Sequence, residues 1–175
     1  MIENNQYKQW QEQLIHVKFP RWKELPALGL YIDQVVTIVN EQLSGVGVEP
    51  LTKSMVNNYV KKKIIQAPVK KKYAVNQLVD LLIIGFFKPS FSIEEIRRGI
   101  AQATLQSYPQ QAYDRFVTIL DQKLAGKKVA VENADAQTVE LTSLAIDAVL
   151  AHLKAIHLVR EMRCQQAPQV VVKKK

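Results

Sequence analysis

The sequence predicts an all-α protein. Apolar residues recur at intervals of three and four in one segment after another, the spacing that lines a single helix face. Helix-starting and helix-breaking residues punctuate those segments, with Thr52 and Ser92 at starts and Pro20, Pro68 and Pro109 at breaks. Extended backbone is confined to a turn or hairpin at Lys70–Lys72 and a candidate stretch at residues 129–131.

Taken in order, the first helix is expected from about Glu3 to Lys18, where Tyr7, Trp10, Leu14 and Val17 share a face and Pro20 stops the run. Trp22, Leu25, Pro26 and Leu28 follow in a compact connector whose large side chains are expected across the core. A second helix spans about Leu30 to Leu43. Its expected stripe is Tyr31, Val35, Ile38, Val39 and Leu43, closed by Ser44 and Gly45. Thr52 caps a short third helix with Met55, Val56, Tyr59 and Val60 on its apolar face. A strongly apolar helix runs from Asn76 to Phe87. Ser92-Ile93-Glu94-Glu95 is a capping box opening a helix to about Gln106, and another runs from about Gln110 to Leu124, stopping at Gly126.

The last helix, about Ala136 to Arg163, is about 42 Å long at ~1.5 Å per residue. It carries two apolar stripes. Val139, Ile146, Val149, Leu153 and Ile156 form one; Leu141, Leu144, Ala148, Ala151, Ala155, Leu158 and Met162 form the other. One stripe is expected on the chain's own core and the other on a second subunit, making a homodimer.

With 175 residues, 47% of them hydrophobic, the chain can bury a real core. The longest apolar run, Leu78 to Phe87, is interrupted by Asp80 and falls short of the ~20 residues that span a bilayer, so no membrane segment is expected. MIENNQYKQW lacks the basic and apolar regions of a secretory signal, and the lone Cys164 cannot form an internal disulfide. A cytoplasmic location follows as the expectation. The organisation read from these features is an N-terminal helix and connector (1–29), a central domain (30–106), a C-terminal helical region for dimerisation or effector sensing (107–164) and a basic tail (165–175).

The formal charge of +8 is concentrated. Between Pro50 and Val79 stand Lys53, Lys61, Lys62, Lys63, Lys70, Lys71 and Lys72, with no Asp or Glu among them. A short helix showing amides and lysines, then a lysine-tipped loop, suits a duplex whose phosphates attract cations and whose bases are read by bidentate amides. The candidate DNA-binding residues are Lys53, Ser54, Asn57, Asn58, Lys61, Lys62, Lys63, Lys70, Lys71, Lys72 and Tyr73, and double-stranded DNA is the expected partner. Asn57 and Asn58 are the candidates for base reading, because an Asn amide matches adenine N6 and N7 together.

Met55-Val56-Asn57-Asn58-Tyr59-Val60-Lys61, then Ile64-Ile65, Pro68, Lys71-Lys72-Tyr73, Leu78 to Ile84 and Phe91-Ser92-Ile93-Glu94-Glu95-Ile96 resemble, in order and spacing, the MerR-type winged helix-turn-helix. The resemblance covers about Leu30 to Ile100. It implies a MerR-like winged helix-turn-helix with an added N-terminal helix and a long C-terminal helix, binding DNA as a dimer and sensing an unidentified effector with whatever follows the wing. Asn57 stands where that pattern has a DNA-contacting Arg, about one turn beyond Lys53, which makes it the first choice for base reading; Asn58 replaces an aromatic residue, and Lys63 replaces a turn Gly. A lysine at φ > 0 is strained, which argues for a differently built turn there. Trp22 to Pro26, Leu30 to Val35 and Met55 to Lys61 also resemble an uncharacterised family from Gram-positive bacteria, a likeness that carries no function.

An enzyme is not expected. The chain has no Gly-rich phosphate loop, no Cys-x-x-Cys and no recognisable Ser, His and Asp signature, and no cofactor is implied. His157, Glu161 and Cys164 at i, i+4 and i+7 offer nitrogen, oxygen and sulfur ligands on one helix face. A single set at a helix end reads as surface chemistry, so no metal is expected. The alternative to a DNA-binding regulator is a helical protein–protein interaction module that keeps the fold without DNA binding.

Overall fold

The structure, a computed structural model, describes residues 5–166. Among these residues are the α-helices α1 (Gln6–Leu14), α2 (Ile32–Val46), α3 (Lys53–Lys61), α4 (Val75–Phe87), α5 (Ile93–Ala103), α6 (Pro109–Leu124) and α7 (Ala136–Gln166), with a 3₁₀ turn at Trp22–Glu24. The all-α class holds: extended pairing among the described residues is limited to two antiparallel bridges, Leu30 with Tyr73 and Val69 with Lys72. Residues 129–131 form no strand. Their Ala130 is held instead by the Gln122 amide, which donates to its carbonyl at 2.9 Å and accepts from its N–H at 3.0 Å. Most of the basic tail and the first residues of the expected N-terminal helix lie outside the described residues.

α4 is the axis of the core. It packs against α2, α5 and α7, burying Leu78, Leu81, Leu82, Ile84 and Phe86. Its Gly85 faces α2 so closely that a Cβ there would stand 2.5 Å from Leu43 Cδ1, so the missing side chain sets the helix–helix distance. From α2 come Val35, Val39, Leu43 and Val46. The helix ends one turn later than expected, at Gly47 with φ +85, and Gly45 lies inside it. Tyr31, expected in the buried stripe, precedes the helix and is exposed, as is Leu28 in the connector.

Both sequence-read caps form. Thr52 Oγ1 accepts from Met55 N at 3.2 Å; at Ser92 the hydroxyl accepts from Glu95 N at 3.2 Å while Glu95 Oε2 accepts from Ser92 N at 2.8 Å. α5 stops at Ala103 rather than Gln106, and α7 continues to Gln166 rather than Arg163.

The connector is fastened to α6. Arg21 Nη1 donates at 2.6 Å to both the Asp114 carbonyl and Thr118 Oγ1, Trp22 N donates to Asp114 Oδ1 at 2.8 Å, and Tyr113 Oη donates to the Pro20 carbonyl at 2.9 Å.

α1 is shorter than expected, and it packs on α7 and α2. Glu161 accepts from Tyr7 N at 2.6 Å, and the rings of Trp10 and His157 stack with centroids 3.9 Å apart. Those contacts use two of the three residues weighed as metal ligands, while Cys164 is exposed. Among the described residues no group of His, Cys, Asp and Glu could hold a metal.

Ile146, Val149, Leu150 and Leu153 of α7 are buried against the bundle. Its second stripe, with Leu141, Leu144, Leu158 and Met162, lies open, and Ile156 joins it rather than the core. α7, at 31 residues, is the longest helix among the described residues, as expected. By length and composition it could cross a membrane, although its inner stripe is committed to the other helices.

Candidate nucleic-acid interface

Two side chains hold the basic segment in place. Asn40 of α2 staples the turn into α3, its Oδ1 accepting from Leu51 N at 2.7 Å and its Nδ2 donating to Leu51 O at 2.8 Å. Gln77 of α4, itself buried, does the same for the approach to the hairpin. Its Nε2 donates to the carbonyls of Gln66 and Ala67 at 3.1 and 3.0 Å, while its Oε1 accepts from Ala74 N at 2.6 Å.

α3 buries Val56 and Tyr59 and exposes Lys53, Ser54, Asn57, Asn58 and Lys61. It closes in a Schellman motif, Lys63 N donating to Val60 O at 3.0 Å and Ile64 N to Tyr59 O at 2.9 Å. The left-handed residue of that motif, usually Gly, is Lys63 with φ 58. The turn is therefore not built differently to spare a lysine, as the sequence argued; the lysine takes the glycine conformation.

The same holds at the hairpin. Val69 and Lys72 exchange backbone bonds at 3.0 and 2.9 Å, and between them Lys70 and Lys71 have φ 49 and 62. Positive φ at both central residues is the pattern of a type I′ turn, whose preferred residues are Asn and Gly.

Contacts between elements join these pieces. Leu30 and Tyr73 exchange bonds at 2.9 and 2.7 Å, fixing the hairpin base to the entry of α2. Lys72 lies over the Tyr31 ring at 5.7 Å, and its stem passes so near Gly29 that a Cβ there would meet it at 2.9 Å. Two residues after Tyr31, Asp33 ion-pairs with Lys53. The hairpin and the N-terminus of α3 thus flank the start of α2. Just past the other end of α3, Lys62 and Lys63 line an open cleft of about 430 Å³ with Glu94, Arg97 and Arg98 of α5.

Ten of the eleven candidate residues are exposed. Tyr73 is the correction: it is 3% exposed, and burial pushes its phenol pKa up, so it anchors the hairpin and is not available to DNA. Lys53 is exposed but partnered by Asp33, a carboxylate outside the window that looked free of acidic residues. Arg97 and Arg98 were missed. Their signal in the sequence was the Arg pair within the helix opened at Ser92, which only the fold brings beside Lys62 and Lys63.

No curated protein and no solved structure matches the chain. A family model described as a domain of unknown function, DUF1836, matches residues 20–116, more than half of the 175-residue chain, and the protein belongs to that family.

Proposed function

We propose that this protein is a cytoplasmic DNA-binding regulator of transcription in which α2, α3 and the Val69–Lys72 hairpin act as a MerR-like winged helix-turn-helix. Three lysines held in left-handed backbone, Lys63, Lys70 and Lys71, carry this reading. Each β-carbon-bearing residue in that conformation costs about 1 kcal/mol or more. Placing lysine where Gly or Asn costs less has a physical reason if the ammonium groups are needed at those points. Lys61, Lys62, Arg97 and Arg98 extend the same cationic surface, which suits the phosphates flanking a groove.

Asn57 and Asn58, exposed and uncharged between lysines, are the base-reading candidates, with Asn57 first. A second copy is proposed on the open stripe of α7, so that two α3 helices reach two half-sites. A helical interaction module is the second reading, and that stripe is the observation in its favour.

Fluorescence anisotropy of a mixed-sequence duplex tests the proposal. Binding should fall steeply between about 50 and 200 mM salt, as counterion release requires. Site selection from a random duplex library, with wild type and Asn57→Ala, then tests base reading: a preference relaxed at one base pair is expected, and identical motifs would exclude Asn57. Absence of duplex binding at the lowest salt would leave the interaction module.

A further inference from the structure

Behind the edge of the basic surface, α4, α5, α6 and α7 line a half-open cavity of about 180 Å³. Its wall is aromatic: Phe87 lies 6.1 Å from Phe91 and 5.6 Å from Phe116, and Tyr113 lies 6.3 Å from Phe116, centroid to centroid. Gly99 opens onto empty space, with nothing within 4 Å of where a Cβ would be. One carboxylate breaks this apolar lining without a hydrogen bond of its own. Asp80 is three-quarters withdrawn from water, and its ion pair with Arg97 is stretched to 4.0 Å. The other acid of the lining, Glu95, already accepts from Ser92 N in the capping box.

From this geometry we infer that the cavity is a binding site for a small organic cation, an amine on an apolar body about the size of one aromatic ring. The volume fits such a body, since an apolar cavity of roughly 150 Å³ accepts benzene. Aromatic rings in the lining are side chains to which a cation is attracted. Asp80 supplies the counter-charge in a setting where water has largely been removed, and an ammonium at hydrogen-bond distance is a better partner than a guanidinium at 4.0 Å. Burial pushes the Asp80 pKa up to about 6, against which Arg97 pulls down, so the carboxylate is ionised near neutral pH.

The inference does not depend on DNA binding, and its test contains no DNA. Calorimetric titration of the full chain with 2-phenylethylammonium, with 2-phenylethanol as the neutral analogue and phenylacetate as the anion, should give saturable binding of the amine at about 1 mM or below, weaker binding of the alcohol and none of the anion. Asp80→Asn should weaken the amine about tenfold or more and leave the alcohol nearly unchanged. Gly99→Leu, which fills the open space, should abolish both, with Ala103→Leu as a second cavity-filling variant if the first does not fold. Equal affinity for all three probes, no saturable binding of the amine, or an amine affinity unchanged in Asp80→Asn would overturn the inference. So would a loss of dimer mass in Gly99→Leu, which would assign the cavity mouth to a second copy of the chain.

Discussion

Replacing Lys70→Asn and Lys71→Gly together separates what the hairpin tip does for folding from what its charges do. Val69 and Lys72 hold the tip with reciprocal bonds, and the two residues between them have φ 49 and 62. Asn-Gly is the pair this turn prefers. Relief from the left-handed penalty contributes about 1–2 kcal/mol at the new Gly and less at the new Asn, while the added freedom of Gly in the unfolded chain returns about 0.5–1 kcal/mol. The net expectation is a gain of about 1–2 kcal/mol. At about 2–4 °C per kcal/mol for a chain of this size, Tm should rise by roughly 2–8 °C.

DNA binding should move the other way. On the proposed reading the variant lacks two phosphate contacts, so the slope of log affinity against log salt should flatten by about 1.8, with affinity lowered on every duplex sequence alike. Thermal unfolding followed by circular dichroism and anisotropy across a salt series give both readouts from one preparation. A variant no more stable than wild type would refute the argument that lysine is held there against backbone preference. A stabilised variant with unchanged salt slope would remove the hairpin from the DNA interface while leaving the strain argument intact.

Asn40→Ala should cost about 2–4 kcal/mol, because it leaves both the N–H and the carbonyl of Leu51, a residue 2% exposed, without partners; a urea midpoint within error of wild type would show that the staple is dispensable. Asp80 runs opposite to the usual carboxylate. Its folded pKa of about 6 lies above the ordinary 3.8, so the fold favours its protonated form and stability falls as pH rises from about 4 to 6. Asp80→Asn should therefore stabilise at pH 7.5 by at most about 3 kcal/mol and lose that advantage near pH 4, and equal Tm differences at both pH values would contradict this. Leu144→Glu with Leu158→Glu, both on exposed positions of α7, should convert a dimer to a monomer by light scattering, and an unchanged dimer mass would place the interface elsewhere.

What the sequence made legible was local. Thr52 and Ser92 reach backbone three residues on, so their caps could be read from four-residue windows, and Ile146, Val149 and Leu153 on the inner face of α7 follow from one helix's period, though the buried Leu150 and the exposed Ile156 depart from it. Tyr73 was misjudged because its environment comes from Leu30, forty-three positions earlier, through a pairing that no periodicity announces. The left-handed turns were hidden for a different reason: composition signals them through Gly and Asn, and here the residues are lysines. Trp10 and His157 each look ordinary along their own helices and acquire their stacking only when α1 lies across α7. Asp33 and Arg97 modify the basic surface from α2 and α5, which a window centred on the lysines could not contain.

The span shared with the family has a structural basis in the connector. Its first matched residue, Pro20, accepts from Tyr113, and Arg21 and Trp22 bond to Asp114, close to the last matched residue, Phe116. The ends of the matched segment are thus fastened to each other, and the buried Tyr113 hydroxyl finds its acceptor only because the two ends meet. A segment closed this way carries α2 to α5 and the hairpin as one body, so every residue of the cationic surface, including Arg97 and Arg98, lies inside it. α1 and α7 are outside the match, and they bring the Trp10–His157 stack and the open apolar stripe. The cavity straddles the boundary: Asp80, Phe87 and Gly99 come from within the matched span, and Leu141, Thr142 and Ala145 close it from α7. A cation held by Asp80 would compete with Arg97 for the same carboxylate, and Arg97 also lines the basic cleft, so one ion pair links the acid of the cavity to the edge of the proposed DNA surface.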